Sequence, residues 1–157
     1  MDSTLIRQLE HRYGVLYRSL TEELEEAYVW RPLGSRPPIG WHAAHIAEAM
    51  ASTLEATVTG PGGVTLSPGL ARCAERGGPP FASMEREDLV AELRVLSGQV
   101  LDELKSLTEE DFDRPPLVPI EPAFLDHLTS RRVWIEGHVF HVTYHLGAMG
   151  LLRAHWA

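Results

Sequence analysis

Apolar residues recur along this chain at steps of three and four, in four long runs separated by proline and glycine, and that spacing commits it to helices. Leu5, Leu9, Tyr13, Leu16, Leu20, Leu24 and Ala27 make the first run. Residues three or four apart share one face of a 3.6-residue helix, so the run predicts an amphipathic helix of about six turns. Arg7, Glu10, Arg18, Glu22, Glu25 and Glu26 fill its polar face, and Arg31-Pro32-Leu33-Gly34 is a stop.

A second helix is expected over residues 41–59. Trp41, His45, Glu48 and Ala49 adjoin on one stripe, Met50, Leu54 and Val58 extend its apolar side, and Gly60-Pro61-Gly62-Gly63 ends it. Residues 60–80, rich in glycine and proline, show neither period. They read as a long loop, of a kind that is often functional in compact domains. Ser83 then reads as an N-cap before the acidic turn of Glu85, Glu87 and Asp88, with Leu89, Leu93, Leu96, Val100, Leu104 and Leu107 behind it. Thr108-Glu109-Glu110-Asp111 resembles a capped short turn, broken by Arg114-Pro115-Pro116. The last run is expected over residues 122–154, with an interruption near Thr129-Ser130. Its inner stripe is Trp134, His138, His141, His145, Ala148 and Leu152, flanked by Ile135, Val142 and Met149.

Four amphipathic segments without a strand predict an all-α domain, a four-helix bundle with one long crossover loop between its second and third helices. A chain of 157 residues is the size of one domain able to bury a proper core, so residues 1–157 are read as a single unit. No run reaches 18 apolar residues, so no membrane span is expected. The mixed charge of the first residues is unlike a signal peptide, and the expected location is cytoplasmic. Net charge is −8 with no basic cluster, which argues against nucleic-acid binding. Cys73, the single cysteine, can form neither an internal disulfide nor a multi-thiolate metal site. It sits in the long loop with no histidine adjacent in sequence, so it is not expected to be a nucleophile.

Against one cysteine stand eight histidines. His138, His141 and His145 fall within eight residues of the last helix, on the stripe that faces the core. His141 and His145 are four apart, so their rings project side by side, as in helical His-x-x-x-His metal sites. Neutral imidazole suits zinc, nickel, iron and copper. A third ligand would come from His42 or His45 on the second helix. The alternative is a hydrogen-bonded histidine–glutamate network through Glu48 or Glu136, since burying several imidazoles without partners costs roughly 1–3 kcal/mol for each unpaired group. His11, His127 and His155 are isolated and expected to face solvent. Trp41 and Trp134 each lie one turn before a histidine and could wall a pocket. The Gly60-Pro61-Gly62-Gly63 loop matches no phosphate-binding pattern, for it lacks a preceding strand and a following Gly-Lys-Ser/Thr.

Three stretches together resemble the DinB-like superfamily of four-helix-bundle metalloproteins, which includes thiol-dependent S-transferases and a maleylpyruvate isomerase. Residues 38–48, Pro-Ile-Gly-Trp-His-Ala-Ala-His-Ile-Ala-Glu, are similar to the family's second-helix motif. Residues 104–115 look like the end of its third helix, a leucine, then Thr-Glu-Glu-Asp, then proline. His141-Val142-Thr143-Tyr144-His145-Leu146-Gly147 is similar to its final-helix His-x-x-x-His-x-Gly signature. The resemblance implies a three-histidine site of His45, His141 and His145 for a divalent metal, zinc or nickel before iron, with open positions for water or substrate. Ala148 stands where the family often has glutamine, so that amide's role is absent or moved. His138, one turn before the signature, is the expected substitute, and His42 rivals His45 as third ligand.

The resemblance thus implies a metal-dependent thiol S-transferase-like enzyme that activates a low-molecular-weight thiol against a small electrophile, with His138 or Glu48 orienting ligands or moving protons. A metal-dependent hydrolase using the same site, and a non-enzymatic metal- or ligand-binding protein, are the alternatives. A homodimer is also expected, because helical domains of this size often bury an apolar face against a copy of themselves.

Overall fold

The computed structural model describes residues 3–121 and 127–156. In order come α1 (Ser3–Thr21), a 3-10 turn (Glu26–Tyr28), α2 (Ile39–Leu54) continuing as a π turn (Glu55–Thr59), α3 (Pro68–Ala74), α4 (Arg86–Ser106), α5 (Glu109–Asp113) and α6 (Arg131–Trp156). No strand forms among the described residues, and the chain is all-α as its periodicity requires. No described helix is long and apolar enough to cross a membrane. α1 and α2 each pack against both α4 and α6, an arrangement compatible with the expected four-helix bundle. Leu9, Tyr13, Leu16 and Leu20 of α1, Ile39, Ile46 and Met50 of α2, Leu89 and Leu93 of α4 and Val142 of α6 meet in one core. Each such aliphatic side chain contributes roughly 1.5–3 kcal/mol by leaving water.

α1 is shorter than its apolar run. It ends at Thr21, where the N–H groups of Glu22 and Glu23 both reach the Arg18 carbonyl, and the expected core residue Ala27 is exposed while Val29 is buried. Glu22, Glu23, Glu25 and Glu26 would have placed four carboxylates at the negative end of the helix dipole, which disfavours continuation.

α4 starts at Arg86 with Glu85 as N-cap, not Ser83. The Met84 carbonyl accepts a 2.8 Å hydrogen bond from Trp30 Nε1, which ties that segment to the first connection and delays the helix. Trp30 also covers the start of α2, where a Cβ on Gly40 would lie 2.7 Å from its ring. The expected structureless loop of residues 60–80 contains α3, because Ser67 Oγ accepts from Leu70 N–H and Pro68 opens the helix. Cys73 is therefore a helical residue, buried together with Leu70 and Ala74 where α3 packs on α2, and burial pushes its thiol pKa up.

The expected short turn after α4 is present as α5, with Thr108 and Asp111 capping each other. Arg132 ties α5 to the start of α6, at 2.7 Å from Glu109 and 3.1 Å from Asp113, with its guanidinium over Phe112. The last helix begins at Arg131 rather than near residue 122. Residues 127–130 are not helical, and the part of the expectation covering residues 122–126 lies outside the described residues.

Candidate metal centre

Packing of α2 against α6 decides what the histidines meet. His42, His45 and Glu48 come from the first three turns of α2, His138, His141 and His145 from the middle of α6. His42, His45, His138 and His145 are buried and His141 is half-buried. One ring nitrogen from each of His45, His141 and His145 lies within 4.8 Å of the other two.

Each ring is held from outside this trio or by a member of it. His45 Nδ1–H donates to Glu48 Oε2 at 2.6 Å, which leaves Nε2 as its lone pair. His145 Nδ1 lies 2.8 Å from His42 Nδ1, and His145 Nε2 lies 3.0 Å from His141 Nε2. When His145 donates to His42 from Nδ1, its Nε2 lone pair is left facing His141. Trp41 stacks on His45 with ring centroids 4.9 Å apart and meets His42 edge-on, and its Nε1 donates to the Glu75 carbonyl at 2.9 Å.

His138 lies outside the trio. Its Nε2 is 2.8 Å from the Tyr13 hydroxyl, which comes from α1 and is buried to the same degree. Burial holds the Tyr13 pKa well above the ordinary value, so the phenol keeps its proton and shares one hydrogen bond with His138 Nε2. The buried Nδ1 atoms of His138 and His141 have no partner among the described residues. Trp134, Leu128, Ser52, Thr53, His138 and His141 surround a cavity of about 190 Å³.

Burial first, and neighbouring charges second, favour the neutral form of His42, His138, His141 and His145. Burial lowers the pKa of His42 to about 4, with the neighbouring His45 adding to it. Burial, then His141, lowers His138 to about 3. His145 falls to about 3 through burial and then the charges of His141, His42, His45 and Arg76. His141 is lowered by burial, then by His45 and Arg76. Neutral imidazole is the state that binds a cation.

The donor set fits a divalent metal: three nitrogens converge, and two Nε2 atoms face each other where only one proton can lie between them. Two of the carboxylate and aromatic candidates join this cluster, since Glu48 holds His45 and Trp41 stacks on it, whereas Glu136 is exposed. His11, His127 and His155 are exposed, as expected. Sequence reasoning missed Tyr13 and Arg76. Tyr13 reads as one more apolar residue in the α1 stripe, and nothing local links it to a histidine 125 positions later. Arg76 follows α3 in a stretch without period, and only the fold brings its charge to bear on His141 and His145.

Residues 8–149 match the family model described as the DinB superfamily. No curated protein and no solved structure matches the chain.

Proposed function

The chain belongs to the DinB superfamily, and on that premise we propose that it is a metal-dependent enzyme of the thiol S-transferase type, holding zinc or nickel between His45, His141 and His145. The observation that supports this most strongly is the convergence of three imidazole nitrogens, one from each residue, within 4.8 Å. Imidazole ligands suit both metals, and three neutral ligands would leave the cation's charge intact. A divalent cation in such a site supplies a Lewis-acidic centre that lowers the pKa of a thiol or of water.

The other tasks fall to the chain. Glu48 fixes which nitrogen His45 presents, and His42 does the same for His145, the work that outer partners perform for metal-binding histidines. Arg76 lends positive potential to His141 and His145, which would favour an anionic reactant. The cavity beside Trp134 and Leu128 is small and would take a compact electrophile. His138, held by Tyr13 beside that cavity and with a pKa lowered to about 3, is the group placed to orient a reactant, and the proton that the thiol gives up as its sulfur bonds to the electrophile passes to solvent.

The test is turnover of a panel of small electrophiles by zinc- and nickel-loaded protein, with and without added low-molecular-weight thiol. Product formation that requires the thiol supports the reading. Thiol-independent hydrolysis, or retained metal with no turnover, contradicts it in favour of a hydrolase or a binding protein.

A further inference from the structure

The long stretch between α2 and α4 does more than carry α3. It is tied down twice after the π turn: the Gly62 N–H donates to Glu55 Oε1 at 2.9 Å, and the Ser67 hydroxyl, while accepting from the Leu70 N–H, donates to Glu92 Oε2 of α4 at 2.6 Å. Between the two ties lies a cavity of about 390 Å³. Val64 and Leu66 of the connection, Leu70 of α3, and Val95 and Leu96 of α4 give it apolar walls, and Val95 stays 75% exposed. No histidine lines it, so it is separate from the metal centre, where the cavity of about 190 Å³ is half as large. Sites for small molecules usually span about 300–1,000 Å³, a range that includes this cavity and not the other.

We infer that this cavity binds a small organic cation, an ammonium group on a short hydrocarbon body. Glu92 decides the sign. It is the only charged residue lining the cavity, it is half-buried, and no cation pairs with it among the described residues. Ser67 engages Oε2, and no described donor reaches Oε1. A carboxylate drawn partly out of water without a counter-charge carries a desolvation cost that an ammonium offsets through a charge-assisted hydrogen bond. An anionic ligand would meet like charge there, and a neutral one without a donor would leave the acceptor unpaired. The apolar walls suit the hydrocarbon, since each methylene that leaves water contributes about fourfold in affinity at full burial. The net charge of −8 further favours a cation over an anion at this surface.

The site is built before a ligand arrives. Ser67, which orients the carboxylate, is also the N-cap of α3, so one side chain fixes both the acceptor and the helix beside it. Gln and Thr side chains at Gln99 and Thr65 supply neutral polar groups on opposite sides of the cavity. Walls held in place in this way spare a ligand the cost of ordering them.

Titration of the full-length protein with hexylammonium, hexanol and hexanoate at neutral pH, followed through the methyl NMR signals of Val64, Leu66 and Val95, tests the inference. Hexylammonium should shift them saturably and bind about tenfold more tightly than hexanol, the lower end for a hydrogen bond to a charged group because Glu92 is half-buried. Hexanoate should leave them unmoved. Glu92→Gln, which keeps the side chain's size and an acceptor for Ser67, should bring hexylammonium down to the affinity of hexanol and leave hexanol unchanged. Equal affinities for amine and alcohol in the unaltered protein, shifts that do not saturate or that fall only on other residues, or full hexylammonium affinity in the variant would overturn the inference. The amine–alcohol comparison needs no variant, and every readout should be the same with metal removed by chelation, so the result stands apart from the proposed thiol chemistry.

Discussion

His45 and Glu48, one turn apart on α2, are joined by a 2.6 Å hydrogen bond from Nδ1 to Oε2. The bond fixes the tautomer of a ring that also stacks on Trp41 and meets His141 and His145 edge-on, and it directs the Nε2 lone pair away from the carboxylate.

Replacing Glu48 by Gln should leave the fold intact, since the side chain is partly exposed, but weaken metal binding. Loss of such an outer partner typically costs about 10–100-fold in affinity. Competition titration against a chromophoric chelator measures this, and an affinity equal to that of the unaltered protein would show that Glu48 does not orient a ligand.

Tyr13→Phe removes the hydrogen bond between Tyr13 and His138 while keeping the ring's volume in the core. An unpaired buried nitrogen costs about 1–3 kcal/mol. For a domain of this size each kcal/mol lowers Tm by about 2–4 °C. Thermal unfolding of the metal-free variant should show that drop, and the His138 ring-nitrogen signals should shift in a nitrogen-15 spectrum. An unchanged Tm would contradict the pairing.

The lowered histidine pKa values set the acid limit of the metal-free fold. His42 at about 4, and His138 and His145 at about 3, take up protons less readily when folded than in the unfolded chain, where a histidine titrates near 6.5. The unfolded state then binds more protons, so their contribution to stability is complete above about pH 6.5 and is lost as pH falls toward 4 and 3. Each such ring contributes a slope of about 1.4 kcal/mol per pH unit inside its window. Urea unfolding of metal-free protein at pH 7, 6 and 5 should give steadily lower midpoints. A midpoint flat over that range would contradict the burial of these rings as neutral species.

Much of this molecule is legible in its sequence, for definite reasons. A pair of histidines four apart on an inward stripe states its own geometry, and a third on another apolar helix needs only the packing of α2 on α6. The apolar runs also mark the long helices, because their core faces repeat at the helical period. Helix ends are decided by interactions that the period does not contain: the carboxylates after Thr21 and the Trp30 bond to Met84 move the boundaries. α3 was signalled by Ser67-Pro68, a cap followed by proline, but its seven residues are too short to show a period. Tyr13 and Arg76 became visible only when distant segments met.

The central claim is that His45, His141 and His145 form one cation site. Elemental analysis of protein produced with zinc and nickel available, then dialysed, tests it most directly, alongside a His141→Ala variant of matching helical content. The account predicts about one ion per chain in the unaltered protein and none in the variant. No bound metal in the former, or an equal load in the latter, would contradict it.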